Sequence, residues 1–272
     1  MAMPLHHIRT GSGEPLLLVH GLGGTLAIWD PVLEQLAEHR EVVALDMPGF
    51  GRSPALPAGT EPTARNLCAA ILDFYDSLGL DGHPHVCGNS LGGWVAIECG
   101  RRGRARSVTG LNTAGFWRAP LEPRTSPARP AARALSPFAG LLMASDRVKR
   151  SALIGQMRHP ERVTRREAAE LVRGYGRGSA YDAANAAMRA DVIGDVSDVD
   201  VPLTLAWGEH DRLVRNRPLP DGVLPPRVRQ VVMADAGHVP TWDQPELVAS
   251  LILDPAGEGA PGSLAPPSEV GS

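Results

Sequence analysis

The chain has 272 residues, of which 43% are hydrophobic and 21% are charged, so it is long enough for one large α/β domain with an insertion or for two modest domains. Its formal net charge of −3 gives no general attraction to nucleic acid or to an anionic membrane surface. There is no run of 18 apolar residues, and residues 1–10 lack the apolar stretch of a signal peptide, so we expect a cytoplasmic protein.

The first 112 residues alternate short apolar runs with segments of helical period. The apolar runs predict strands at 15–20, 41–45, 83–88 and 107–112. Apolar residues at helical spacing between them predict helices at 28–36, 62–78 and 91–100. Such alternation is typical of an α/β protein, in which a parallel sheet is covered by helices on both faces.

The alternation breaks from Ala114 to about Asp195, where the chain is rich in Pro, Ala and Arg and shows no convincing strand. Thr164 and Glu167 form a capping box that predicts a helix start, and residues 181–189 predict a further helix. Residues 116–195 carry a net charge of +6 and the remainder −9. This basic segment is suited to anionic substrates, or simply reflects that arginine is the chain's main basic residue.

Strand character returns at 202–207 and 228–233, and a final helix is predicted at 245–253. We therefore divide the chain into a first core part at 1–113, a helical cap at 114–195 and a second core part at 196–254. The remaining 255–272 is Gly, Pro, Ser and Ala with few apolar anchors, and we expect it to be disordered. Because ligands bind at the carboxyl ends of parallel strands, an insert leaving and re-entering that edge would cover the site.

The strongest chemical signal is Gly88-Asn89-Ser90-Leu91-Gly92, a G-x-S-x-G sequence at a predicted strand-to-helix junction. A nucleophile exposed on a tight turn needs small neighbours two residues away on each side, so that strand and helix can approach each other. The turn also brings Ser90 near a helix N-terminus, whose dipole favours developing negative charge. We predict that Ser90 is the nucleophile; the alternative is a glycine-rich turn with a capping serine.

A second glycine-rich segment, His20-Gly21-Leu22-Gly23-Gly24, follows the first predicted strand. A tetrahedral intermediate needs backbone N–H donors aimed at its oxyanion, and we predict the N–H groups of Leu22 and Leu91 in that role. His20, Gly21, Gly23 and Gly24 are predicted to shape the supporting loop, with His20 ordering it through hydrogen bonds. A phosphate-binding loop is the alternative, but neither common nucleotide fingerprint is present.

An acid and a histidine follow the last two predicted strands. Asp211 ends Trp207-Gly208-Glu209-His210-Asp211, and His238 follows Ala236-Gly237. The order Ser, Asp, His along the chain is the one expected for a strand–turn–helix nucleophile. A serine hydroxyl needs a base to take its proton, and the base needs a partner that fixes its tautomer. We predict that His238 is the base and Asp211 its partner. Asp235 is too close in sequence to His238, and Asn112 cannot carry the charge.

No cofactor and no metal are expected from the sequence. Cys68, Cys87 and Cys99 lack metal-ligand spacing, and their odd number does not favour disulfides. The apolar surroundings of Cys87 and Cys99 predict that both are small core residues.

The chain resembles the α/β-hydrolase superfamily from about Leu5 to Leu253. Four motifs in order carry the resemblance: H-G-L-G-G, D-M-P-G-F-G-R-S (46–53), G-N-S-L-G-G and G-H-V-P-T-W. The resemblance implies a mostly parallel eight-stranded sheet, helices on both faces, a helical cap between strands six and seven, and no cofactor. It also implies that 46–53 is a structural loop near the site. With Ser90 instead of Asp at the nucleophile position, the haloalkane dehalogenase and epoxide hydrolase branches fit less well.

The expected activity is that of a carboxylesterase-like serine hydrolase acting on small-molecule esters with small to medium acyl groups. Apolar residues of the cap could line an acyl pocket or could equally pack the cap against the body: Phe138, Leu141, Leu142, Met143, Leu153, Ile154 and Met157.

The alternative is a carbon–carbon bond hydrolase, because Asn89 and Trp242 resemble the substrate-binding residues of hydrolases of aromatic meta-cleavage products. Arg118, Arg158 or Arg173 would then hold the anionic substrate. A retired hydrolase acting as a receptor is a third class, which the intact Ser90, Asp211 and His238 disfavour. Acyl length and oligomeric state are not encoded in these motifs.

Overall fold

The computed structural model describes residues 2–214 and 224–257, and within them the strands form a single sheet. The strands are β1 (His7–Thr10), β2 (Pro15–Val19), β3 (Glu41–Leu45), β4 (His85–Asn89), β5 (Ser107–Leu111), β6 (Leu203–Gly208) and β7 (Arg229–Met233). Their order across the sheet is β1-β3-β2-β4-β5-β6-β7. Only β1 is antiparallel to its neighbour, and the other pairs are parallel.

Helices connect the strands and cover the sheet. The α-helices are α1 (Asp30–Ala37), α2 (Ala64–Ser77), α3 (Leu91–Arg101), α4 (Ala128–Leu135), α5 (Ala139–Leu142), α6 (Asp146–Leu153), α7 (Arg165–Arg177), α8 (Tyr181–Arg189) and α9 (Pro245–Leu253). Short 3₁₀ segments occur at Leu26–Trp29, Ser136–Phe138 and Pro160–Arg162. In the part of the chain that the structure covers, no helix has both the length and the apolar character needed to cross a bilayer.

All the strands predicted from apolar runs are present, with ends shifted by at most two residues. The sequence prediction missed β1 because this edge strand pairs with β3 alone and is half-exposed. Its residues His7, Ile8, Arg9 and Thr10 therefore include no continuous apolar run. The capping box is confirmed: the Thr164 hydroxyl accepts from the Glu167 N–H, and the Glu167 carboxylate accepts from the Thr164 N–H.

The sheet has seven strands in the described residues, so the expected number of eight is wrong there. The antiparallel strand β1 already forms one edge, and residues 2–6 ahead of it form no strand. At the other edge, β7 leads through a short loop into α9. Because one strand fewer precedes them, helices α4–α8 lie between strands five and six of this sheet instead of between six and seven.

Two apolar cores lie on opposite faces of the sheet. Leu17 and Val19 of β2 pack in the cluster that contains buried residues of α2 and α3. Leu16 and Leu18 of the same strand pack in the cluster that contains buried residues of α1 and α9. The alternation follows from the two-residue period of a strand, and it explains why a strand covered on both faces is a continuous apolar run.

The helical insert begins and ends at neighbouring points of the backbone. The Ile193 N–H donates to the Gly115 carbonyl oxygen at 2.9 Å, so the insert leaves and re-enters at one place. Helices α4–α6 were not predicted, since their short length and high Pro and Arg content hide the helical period. The division at 114 and 195 and the covering role of the insert stay predictions.

The apolar residues of the insert fall into two groups. Met143, Leu153 and Met157 are buried in the same core as α1 and α9. Phe138 and Leu141 are 59% and 71% exposed. The first group therefore packs the insert against the body, whereas Phe138 and Leu141 do not, and their contact with an acyl chain stays a prediction.

All three cysteines are buried and free, which confirms the expectation for Cys87 and Cys99. The Sγ atoms of Cys68 and Cys99 lie 3.4 Å apart. Residues 258–272 of the predicted disordered tail lie outside the described residues. Of the three tail residues that are described, Pro255 accepts a hydrogen bond through its carbonyl from the Thr204 hydroxyl at 2.6 Å.

Candidate active site

Ser90 lies between the end of β4 and the start of α3, as the strand–turn–helix motif predicted. Its backbone has φ 55° and ψ −116°, in the region of positive φ that residues other than glycine rarely adopt. Hydrogen bonds hold the strained turn from both sides: the Ser90 N–H donates to Leu111 O at 2.8 Å, and Ser90 O accepts from Ala114 N at 3.1 Å. Such strain persists only where the surrounding structure enforces it, and it is concentrated at functional sites.

The two glycines that flank Ser90 are required by close backbone contacts. A Cβ built on Gly88 would lie 2.0 Å from the Gly92 carbonyl oxygen, and one built on Gly92 would lie 2.2 Å from the Val19 carbonyl oxygen. Any side chain at either position would therefore push α3 away from β4 or β2. This is the physical reason for the G-x-S-x-G spacing.

The loop after β2 passes directly beside Ser90. A Cβ built on Gly21 would lie 3.0 Å from Ser90 Cβ. His20 forms hydrogen bonds at both ring nitrogens here: its Nδ1 bonds Gly21 O at 2.7 Å, and its Nε2 accepts from the Met47 N–H at 2.9 Å. Burial lowers the pKa of His20 and keeps the ring neutral, which suits an imidazole that donates at one nitrogen and accepts at the other.

The rest of the glycine loop is held by a hydrogen bond within its own backbone and by contacts with the insert. The Gly24 N–H donates to Gly21 O at 3.0 Å. A Cβ on Gly23, which has φ 75°, would lie 2.9 Å from ring atoms of both Tyr175 and Tyr181. Helices α7 and α8 therefore contact the loop that carries Leu22. The roles of the Leu22 and Leu91 N–H groups as oxyanion donors stay predictions. The Leu91 N–H belongs to the first turn of α3, where helical N–H groups have no intrahelical acceptor.

Asp211 and His238 meet at the ends of β6 and β7. Asp211 Oδ2 lies 2.9 Å from His238 Nδ1, and the Asp211 side chain is fully buried. Its other oxygen, Oδ1, accepts from the N–H groups of Leu213 and Val214 at 2.7 and 3.0 Å. The carboxylate is thus held in one orientation, in which it favours the histidine tautomer with the proton on Nδ1 and the lone pair on Nε2.

Two asparagines join the serine turn to residues 234–239, the segment that carries His238 and is called the histidine loop below. Asn89 Nδ2 donates to His238 O at 2.8 Å and to Leu111 O at 3.2 Å. Asn112 Nδ2 donates to His238 O at 2.9 Å, while its Oδ1 accepts from Gly208 N at 2.7 Å. Both amide groups therefore fix the backbone that carries His238. Asn89 has this structural part in addition to the substrate contact that we predict for it.

Ser90 and His238 are brought to the same edge of the sheet, and both are largely buried. Among the described residues, no hydrogen bond is formed by Ser90 Oγ or by His238 Nε2. Catalytic hydrogen bonds are often long in the absence of substrate and shorten in the complex.

The competing histidines and acids lie elsewhere. Asp235 pairs with His159 Nε2 at 2.7 Å and with Arg158 Nε at 3.1 Å, on the outside of the histidine loop. His210 Nε2 lies 3.7 Å from Glu209 and 3.9 Å from Asp235. These groups form a surface ion-pair cluster. In the described part of the chain, no three His, Cys, Asp or Glu side chains are arranged to hold a metal ion.

The 46–53 loop is structural in the way the resemblance implied. Asp46 is buried and accepts from Leu26 N at 2.8 Å and from Arg52 N at 2.9 Å. Trp242, a predicted substrate contact, is 5% exposed and packs in the core shared by α1 and α9. Its contact with a substrate stays a prediction.

Sequence reasoning missed Asp243, a carboxylate that is 1% exposed and accepts backbone N–H groups from both the histidine loop and the insert. The available signal was an acid within the apolar segment just after His238. No pattern in the sequence marks its role, because the N–H groups that it binds are backbone groups brought to it by the fold.

Comparisons with known proteins agree with the fold. The sequence model described as the alpha/beta hydrolase family matches residues 16–251. Epoxide hydrolase EphH of Mycobacterium tuberculosis is 32% identical over 190 residues, which cover 65% of this chain and 87% of that protein. A 2-hydroxy-6-oxo-6-(2'-aminophenyl)hexa-2,4-dienoic acid hydrolase of Metapseudomonas resinovorans is 36% identical over 94 residues, or 34% of this chain and 32% of that one. Matches to several curated relatives span only a quarter to a third of the relative's length.

Solved structures have the same fold. The enol-lactonase from Burkholderia xenovorans LB400 superposes with a TM-score of 0.69 at 21% sequence identity, covering 93% of this chain and 96% of that one. At this identity the likeness speaks for the fold alone.

Proposed function

This chain belongs to the alpha/beta hydrolase family, and we propose that it is a serine hydrolase that cleaves carboxylic esters of small to medium acyl groups through an acyl-enzyme on Ser90. The observation that supports the proposal is the hydrogen-bonded pair of Asp211 and His238, 2.9 Å apart, at the edge where the strained Ser90 turn ends. Asn89 ties the two together through its 2.8 Å bond to His238 O.

In the first half of the reaction, Ser90 Oγ attacks the ester carbonyl carbon while His238 Nε2 takes the hydroxyl proton. The Asp211 carboxylate on Nδ1 stabilises the imidazolium that forms. The carbonyl oxygen becomes negatively charged and accepts hydrogen bonds from the N–H groups of Leu22 and Leu91. When the tetrahedral intermediate collapses, the C–O bond to the alcohol breaks, His238 returns its proton to the alcohol, and the acyl group stays on Ser90.

In the second half, water replaces the alcohol. His238 takes a proton from the water, the hydroxide attacks the acyl carbon, and the carboxylic acid leaves as the proton returns to Ser90. The positive end of the α3 dipole lies next to Ser90 and favours both negatively charged intermediates.

The nucleophile is tested by Ser90→Ala. We expect kcat for a nitrophenyl ester to fall by about 10⁶, because the acyl-enzyme can no longer form, while the fold is retained. Wild-type protein treated with a fluorophosphonate should carry the adduct on the peptide that contains Ser90. Activity of the variant within tenfold of wild type, or an adduct on another residue, would refute the assignment.

The substrate class is tested with nitrophenyl esters of increasing acyl length beside one dienoate of the meta-cleavage type. We expect turnover of the esters, an optimum at short or medium acyl chains, and no effect of exhaustive EDTA treatment. Faster turnover of the dienoate than of every ester would overturn the proposal in favour of carbon–carbon bond cleavage.

The carbon–carbon bond alternative is supported by the similarity to the dienoic acid hydrolase. However, the three arginines suggested for its anionic substrate have other surroundings. Arg158 is paired with Asp235, and Arg118 is exposed. Arg173 Nη2 lies 3.3 Å from a Cβ built on Gly140, in contact with α5. The similarity to an epoxide hydrolase does not favour that activity here, because the resemblance implies Asp at the nucleophile position of that branch and this chain has Ser90. The cytoplasmic location stays a prediction.

A further inference from the structure

Asp243 is a buried carboxylate that the proposed reaction does not use. Its side chain is embedded just ahead of α9, and the residue is 1% exposed. Oδ2 accepts from Gly237 N at 2.8 Å and from Arg158 N at 2.9 Å, and Oδ1 accepts from His159 N at 2.8 Å. Within the described residues, no side-chain cation forms an ion pair with it. A buried charge needs such compensation, and here backbone dipoles supply it.

These bonds connect two segments that are 78 residues or more apart in sequence. Gly237 immediately precedes His238, whereas Arg158 and His159 belong to the insert. The backbones touch directly: a Cβ built on Gly237 would lie 2.8 Å from Arg158 N and 2.9 Å from the Met157 carbonyl carbon. On the other side of the histidine, Val239 N donates to Gln156 O at 2.8 Å.

His238 is therefore bracketed by contacts with the insert on both sides. Its own carbonyl is held by Asn89 and Asn112, and its Nδ1 by Asp211. The bonds of the Asp243 carboxylate to Gly237, Arg158 and His159 add a restraint on this loop from the side of the insert. A displacement of about 1 Å at a reacting group can reduce turnover by as much as about a hundredfold.

We propose that Asp243 is a positioning residue that holds His238 within reach of Ser90 by clamping the 156–159 segment of the insert onto the histidine loop. The proposal rests on the proposed function. It assigns the insert a part in catalysis that is independent of any contact with substrate.

The test is Asp243→Asn. The amide oxygen can still serve one of the two acceptor positions, but the NH₂ group opposes a backbone N–H at the other, so the clamp loses at least one bond. We expect kcat for a short nitrophenyl ester to fall by roughly 10- to 100-fold with KM changed less than about threefold, because the base is displaced while the substrate contacts are kept.

A readout that does not depend on turnover is the proton NMR signal of His238 Nδ1–H in its bond to Asp211, assigned by its loss in His238→Gln. We expect Asp243→Asn to shift or broaden this signal at a temperature where circular dichroism shows a folded protein. If the wild type hydrolyses no ester, the proposed function fails, and the NMR signal still reports whether Asp243 positions the histidine.

Glu98→Gln is the matched control. Glu98 is also a buried carboxylate, 5% exposed, but it pairs with Arg101 on α3 and does not contact the histidine loop. We expect it to lower stability while leaving kcat and the His238 signal as in wild type. An equal loss of kcat in both variants, or a wild-type kcat and signal in Asp243→Asn, would overturn the proposal.

Should Asp243→Asn fail to fold, Arg162→Gln disturbs the position of Asp243 from a less buried side chain. The Arg162 guanidinium donates to the Asp243 main-chain carbonyl. We expect a decrease in kcat of roughly three- to tenfold at unchanged KM and a shifted His238 signal, and wild-type values for both would refute the clamp.

Discussion

At the scale of single residues, Asp211 and Asp235 are two carboxylates near the histidine loop, and we expect different effects on kcat when each is replaced by Asn. Only Asp211 contacts His238 Nδ1, at 2.9 Å, and Asp235 faces His159 and Arg158. We expect Asp211→Asn to lower kcat by roughly 10³- to 10⁴-fold, the scale known from serine protease triads, since the amide no longer stabilises the imidazolium. The measurement is steady-state hydrolysis of a nitrophenyl ester.

Asp235→Asn is the control for that variant. It removes the same charge three residues before His238, and we expect kcat within about twofold of wild type, as is usual for exposed charges. Equal losses in the two variants would mean that the charge near the loop matters and not the bond to Nδ1.

His159 is a second residue for which the structure makes a definite prediction. The hydrogen bond to Asp235 and, to a smaller extent, the hydrogen bond to Glu161 raise the pKa of His159 above 6.5. A proton NMR titration should therefore place its pKa above 6.5, and Asp235→Asn should lower it. A value at or below 6.5 in wild type would contradict the ion pair seen at the junction of insert and loop.

The same shift has a consequence for stability. A histidine whose pKa is raised by folding stabilises the folded state fully below the unfolded pKa of 6.5, and that contribution is lost as the pH rises through the folded value. The difference in urea midpoint between wild type and His159→Gln should hence be largest below pH 6.5 and shrink above it. A difference that grew with pH would have the wrong sign.

At the scale of elements, the insert helices α6 and α5 each carry leucines, but in different surroundings. Leu153 on α6 is 1% exposed and belongs to the core shared with α9, whereas Leu141 on α5 is 71% exposed. We expect Leu153→Ala to lower the free energy of unfolding by about 2–5 kcal/mol through the cavity it leaves. Leu141→Ala should change it by less than about 0.5 kcal/mol.

Urea denaturation followed by circular dichroism measures both values. The two variants delete the same atoms, so their difference isolates burial. A similar decrease in the free energy of unfolding for both variants would contradict the exposure of Leu141 seen in the structure.

At the scale of the whole molecule, the insert and the sheet share their apolar cores. Met157 of the insert lies in the same cluster as Val239 and Trp242 of the body, and Trp117 of the insert packs edge-on against Trp94 of α3 with ring centroids 6.1 Å apart. Separate unfolding of the insert would expose these contacts. We expect one cooperative transition, with coincident urea midpoints by circular dichroism and tryptophan fluorescence. Two separated midpoints would mean that the insert unfolds on its own.

The amino-acid sequence by itself determined the parallel strands and the position of the serine turn. Buried strands must be continuous apolar runs, and a tight strand-to-helix turn needs glycine at 88 and 92, where any Cβ would lie within 2.2 Å of a carbonyl oxygen. Both are local requirements, so they are visible in a few consecutive residues. For the same reason, the edge strand β1 and the short helices α4–α6 escaped, since half-exposed elements leave only a weak apolar pattern.

Asp211 was predicted from the sequence as the partner of His238, but only the tertiary structure decided which other side chains hold the backbone around it. Asn112 follows β5, and Asp243 precedes α9 and also binds the insert through Arg158 and His159. Asparagine and aspartate at such positions look like ordinary loop residues in sequence. Their function comes from backbone N–H and carbonyl groups that the fold brings to them, and these groups are the same in every residue, so no sequence pattern marks them.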